Sequence, residues 1–89
     1  MTHYVGVFVH ATTGRWRALV PDLPSYEVEE GTLDTAIIRA EEFLRRTARL
    51  GAPIPSPRPL ALIKLDDEWA SAMGINWSRS VVTMIQVRE

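Results

Sequence analysis

Cysteine is absent from this 89-residue chain, which removes disulfides, thiolate nucleophiles and zinc-thiolate sites together. Long apolar runs are missing too. No stretch approaches the ~18 consecutive apolar residues that read as a membrane-spanning helix. Met1-Thr2-His3-Tyr4 has neither a basic leader nor a following long apolar run, so a cytoplasmic protein with no membrane partner is the expectation. There is no excess of charge of one sign: 10 basic and 11 acidic residues leave a net charge of −1, and no global field draws the chain onto nucleic acid. Phosphate-loop and dinucleotide glycine patterns are lacking, as are internal repeats. Histidine is limited to His3 and His10, and no serine or cysteine motif accompanies either.

What is present is ordinary globular composition, 46% hydrophobic and 24% charged, which fits one domain over 1–89. A domain of this size has a thin core, and pairing with a partner or a second copy is a natural way to cover what it leaves exposed. Tyr4 to His10 is a near-continuous β-branched and aromatic run, read as a central strand covered on both faces. Ala11 to Gly14 supplies turn chemistry, and Arg15 to Val20 forms the second strand of a hairpin, with Trp16, Ala18 and Val20 on one side. Pro21-Asp22-Leu23-Pro24 closes that strand. Tyr26 and Val28 then alternate with Glu27 and Glu29 as a short third strand.

Gly31-Thr32 opens the longest element, with Thr32 as N-cap and Asp34 in the first turn. No capping-box glutamate exists, because Thr35 holds that position. At ~100° per residue, Leu33, Ala36, Ile37, Ala40, Phe43, Leu44, Thr47, Ala48 and Leu50 fall on one arc, with Asp34, Arg39, Glu42, Arg45, Arg46 and Arg49 opposite. Gly51 suits the position just past the helix end. Ile38 is the misfit, an apolar residue on the charged side, read either as an idle exposed side chain or as a contact. Pro53 to Pro59 is an extended connector, Leu60 to Leu65 reads as a fourth strand, Glu68 to Met73 as a short helix, and Ser80 to Val87 as a final strand. The fold class is therefore α+β: a small mixed or antiparallel sheet packed on one long helix, with a short helix and a C-terminal strand.

Among the acids, Asp22 reads as a turn residue bonding the backbone of its own loop, and Asp66-Asp67 as a helix cap with Glu68 behind it. Neither spacing specifies a metal, and the residues present call for no cofactor. Arg15 with Arg17, and Arg39 with Arg46 and Arg49, are solvated faces or docking points for an acidic partner. Trp69 and Trp77 flank Met73 and Ile75 and either plug the end of the core or form a contact surface.

Together these residues resemble the HicB-like antitoxin family over residues 3 to 65. The motifs are Gly14-x-Trp16-x-Ala18, Pro21-Asp22-Leu23-Pro24, Thr32-Leu33-Asp34-x-Ala36-x-x-x-Ala40-x-Glu42 and Gly51-x-x-Ile54-Pro55-x-Pro57. Departures are Ser25 where a glycine is usual, Glu30-Gly31-Thr32 in place of Gly-Asp/Glu-Thr, Thr35 in place of a second carboxylate, and Arg39 in place of asparagine. The resemblance implies a β-β-β-α-β core like a partial RNase H fold without the nuclease carboxylates. It also implies a non-enzymatic role, masking a small HicA-like ribonuclease toxin, and assembly as a homodimer or higher oligomer. Many family members carry a C-terminal DNA-binding module. Residues 66–89 hold neither a helix pair nor a basic recognition helix, so direct DNA binding is not carried over. Ile38, Trp69 and Trp77 are the expected partner contacts. Two other readings stand beside this one: an oligomerising or regulatory domain without a toxin, and a divergent hydrolase using Asp22 with His3 or His10.

Overall fold

Alternation along the first strand decides the layering. The computed structural model describes residues 2–51 and 55–87, and its β1 (Thr2–His10) turns Tyr4 and Phe8 to one face and Val5 and Val7 to the other, all four buried. A strand that is apolar on both sides needs cover on both sides. In the sheet, order β3-β2-β1-β4, β1 is internal, between β2 (Trp16–Val20) and β4 (Ser80–Val87), with β3 (Leu23–Glu30) outermost. Every neighbouring pair is antiparallel, with registers such as Val7↔Leu19, Val7↔Val82 and Ala18↔Val28. The α+β class read from the sequence is the observed one, and the final strand has the expected limits.

The first face is covered by α1 (Leu33–Arg49). Thr32 Oγ1 accepts from the Thr35 amide at 3.1 Å, and the helix ends at Leu50, with Gly51 following at φ 69°, a conformation that glycine takes without penalty. Ala36, Ala40 and Leu44 are its buried residues. The two alanines bring the helix close to Tyr4, Phe8, Val20, Ile85 and Val87 of the sheet. Phe43 stacks on Tyr26 with ring centroids 4.5 Å apart. Packing under the helix is tight at Gly6, where an added Cβ would lie 2.7 Å from Ile85 Cδ1 and 2.9 Å from Phe8 Cε2. Gly6→Ala is therefore expected to cost about 1–3 kcal/mol by overpacking, read as a lower midpoint in urea unfolding with unchanged slope.

The second face corrects one expectation. Leu60 to Leu65 is not a strand: Leu60–Lys64 is a short helix, α2, and Asp67–Met73 is α3. Pro59 starts α2, its carbonyl accepting from the amides of Leu62 at 3.0 Å and Ile63 at 3.2 Å. The helix buries one side chain fully, Ile63, which packs on Val5 and Val7 with Leu60, Trp69, Ile75, Trp77 and Val82 around it.

The consequence is topological. A chain leaving β3 and crossing once on α1 would return parallel to β3 and hence to β1. This chain crosses a second time, through α2 and α3 on the opposite face, and β4 enters beside β1 antiparallel to it. Pro53 and Ile54 of the connector lie outside the described residues. From Pro55 to Pro59 the chain has no regular structure, and the Tyr4 hydroxyl donates to the Pro55 carbonyl at 2.7 Å. Among the described residues, no helix is long and apolar enough to cross a membrane.

Candidate interaction surfaces

The Pro21–Pro24 motif positions one buried carboxylate. Pro21 and Asp22 form a tight turn, and β3 already begins at Leu23. Proline is tolerated at position 24 because β3 is an edge strand. Asp22 was expected to bond its own loop. Instead, Oδ1 accepts from Arg58 Nε at 2.6 Å and Oδ2 from the Arg58 backbone amide at 2.9 Å, 36 residues away in sequence. The Asp22 side chain is 4% exposed. Arg58 also reaches Asp66 at 3.5 Å, and Asp66 Oδ1 accepts from the Trp69 amide at 3.0 Å, capping α3 as expected. The Arg58 pKa is raised, chiefly by its hydrogen bond to Asp22, with the charges of Asp22 and Asp66 adding and desolvation opposing. One arginine thus ties turn, connector and α3 together. Gly31 and Thr32 sit at the start of α1 and Gly51 beyond its end, all three exposed.

The basic residues divide into two groups. Arg17 pairs with Glu27 at 2.7 Å and Arg15 with Glu29 at 3.7 Å across the β2–β3 side of the sheet. Arg39 reaches Glu30 at 3.6 Å and Glu42 at 3.5 Å. Near that pair, the Tyr26 phenol has its pKa raised by burial and by Glu30, with Arg39 opposing. The last turns of α1 are different: Arg45 pairs with Glu41 at 3.6 Å, while Arg46 and Arg49 make no ion pair among the described residues. A groove of about 660 Å³ runs between this end of α1 and β4, lined by Glu41, Arg45, Arg49, Met84 and Gln86.

Of the expected contact residues, the structure brings two together. Trp69 and Trp77 lie 6.2 Å apart, half-buried on the second face, with Lys64 Nζ 5.8 Å from the Trp77 ring centroid. On α2 and just past its end, Leu62 (52%) and Leu65 (75%) are exposed, and α3 exposes Asp67 and Glu68. Ile38 stands 53% exposed on α1, which covers the other face. Reading the residues in order missed Arg58, Leu62, Leu65 and Met84. None has a sequence signal of its own, because each is placed by an element packed against it.

His3 and His10 sit near opposite ends of β1, both exposed, roughly 23 Å apart at ~3.3 Å per residue. The His10 ring lies 4.8 Å from Trp16, with Nε2 3.2 Å from the Gly14 carbonyl oxygen. Asp22 accepts its hydrogen bonds from Arg58 rather than from either histidine. Among the described residues, no group of three or more His, Asp or Glu side chains is placed to hold a metal ion.

No family model matches this chain, and no curated protein matches it in sequence. In structure it is similar to the crystal structure of the Burkholderia pseudomallei antitoxin HicB, with a TM-score of 0.62 at 15% identity over 98% of this chain and 64% of that one. The chain therefore spans just under two thirds of the length of that antitoxin, and the likeness is one of fold.

Proposed function

We propose that this chain is a non-enzymatic, antitoxin-type binding protein whose partner is a small basic ribonuclease that it masks. The observation that carries the reading is the fold likeness to HicB over nearly the whole chain. It agrees with the sequence resemblance at Pro21–Pro24, Thr32–Glu42 and Gly51. The commitment of Asp22 to Arg58 supports a binding role over the hydrolase reading.

The surface best suited to the partner is the second face. Leu62 and Leu65 offer exposed apolar area, Trp77 and Trp69 lie beside them, and Asp67 and Glu68 supply charge opposite to that of an RNA-cleaving protein. Buried aromatic anchors within a polar rim are how such interfaces concentrate affinity. Masking is steric: the surface lies over the partner's catalytic groups and excludes RNA.

The test is co-expression with the small protein encoded beside it. That neighbour alone should arrest growth and cleave RNA, and this chain should restore growth and co-purify with it. Leu65→Arg, at a site already exposed, should leave the fold intact and abolish rescue. A neighbour that is harmless when expressed alone would remove the proposal.

A further inference from the structure

The groove between the end of α1 and β4 carries charge that nothing within the fold matches. Its helix side is Glu41, Arg45 and Arg49, and its strand side is Met84 and Gln86. Arg49 makes no ion pair among the described residues. Arg45 has one, with Glu41 at 3.6 Å, but both side chains are exposed. A pair of that kind is worth little and yields to a better-placed carboxylate.

Spacing indicates the form of the ligand. Arg45 and Arg49 are one helical turn apart, ~6 Å along the axis. Side chains on one face of an extended strand recur at nearly the same interval, ~6.7 Å. A strand laid along β4 therefore sets two alternate side chains against the two guanidiniums. The residues between them point to the opposite face. There Met84, which pairs with Val5 and so shares its face, is 50% exposed.

The backbone of β4 suits such a ligand. It ends the sheet, and Ser80–Val87 has no charge, proline or glycine and follows β1 in an unbroken register. The other edge, β3, carries Pro24, Glu27, Glu29 and a register irregularity, devices that discourage an added strand. A nucleic acid fits the groove less well. No aromatic ring lines it for base stacking, and Glu41 and Glu42 interrupt the basic track that a phosphate backbone needs.

We propose that β4 binds an extended acidic peptide of a partner protein, which joins the sheet as a fifth strand. Its alternate carboxylates pair with Arg45 and Arg49, and the apolar side chains between them lie against Met84. Recognition is by strand addition, the ladder giving affinity and the arginines giving selectivity. The site does not depend on the toxin-masking reading, which sets a basic partner on the second face.

Fluorescence anisotropy tests it, with a labelled peptide of alternating glutamate and valine that matches β4 in length. Binding should be saturable, and the lysine–valine counterpart should not bind. Arg49→Glu should raise the Kd by about tenfold or more, because it puts like charges together, with unchanged circular dichroism. Arg45→Glu/Arg49→Glu should take the lysine–valine peptide instead. Arg39→Glu alters net charge equally, on the side of α1 toward Glu30 of β3, and should leave the Kd unmoved. Methylating the peptide's backbone nitrogens keeps its charges but removes its ladder donors, and should abolish binding. A glutamate–valine peptide that does not bind, equal affinity for its methylated form, equal losses in Arg39→Glu and Arg49→Glu, or tighter binding of a short single-stranded RNA would overturn the proposal.

Discussion

Arg58→Met should destabilise the protein by about 2–3 kcal/mol, which for a domain of this size lowers Tm by about 10–20 °C. The cause is not a lost surface ion pair, which is worth little. Asp22 is almost fully buried, and removing the guanidinium leaves its carboxylate with the Arg58 backbone amide as its remaining hydrogen-bond donor. Because Arg58 is about one-third exposed, the cost falls below that of breaking a fully buried pair. The double variant Asp22→Asn/Arg58→Met should recover part of the loss, since an amide is far cheaper to bury than an unpaired charge. Added salt should change the wild type little, screening being weak for a buried pair. Thermal melts of the four proteins complete the cycle. Equal losses in Arg58→Met and the double variant would mean that the arginine acts through its packing instead.

Ile63→Ala should cost about 3 kcal/mol, the range for emptying a fully buried isoleucine site. Leu62→Ala, one residue earlier and half exposed, should change stability by less than about 0.5 kcal/mol. The contrast distinguishes a short helix with one anchoring residue from a strand in which alternate residues share the burial. Trp69 and Trp77 pack around Ile63, so the alanine variant should also red-shift tryptophan emission before global unfolding. If both substitutions cost the same, the segment is held by more than its one anchor.

These two sites also mark where the sequence stopped being legible. The long helix was plain because seventeen residues repeat one pattern between a capping threonine and a terminal glycine. β4 was plain because its β-branched run is long and interrupted nowhere. Leu60 to Leu65 was not, since a short apolar run fits a strand and a one-turn helix equally well. What decided it was the already complete sheet: the place beside β1 belongs to β4, and the second face of β1 needed a cover. The Asp22–Arg58 pair spans 36 residues and follows no local rule. Of the expected contact residues, the tryptophans were visible as unusual side chains in an irregular segment.

The pairing of Thr2 with Val87 has a consequence for how the molecule comes to exist. During synthesis β1 is made before the other elements of the fold, and β4, the strand that pairs along its length, is made after them. Until β4 leaves the ribosome, one side of β1 has no ladder partner. The loop that must close takes in every other element of the fold, which slows folding. The sheet is therefore completed only once β4 has emerged, and until then the nascent chain carries one open side of an apolar strand.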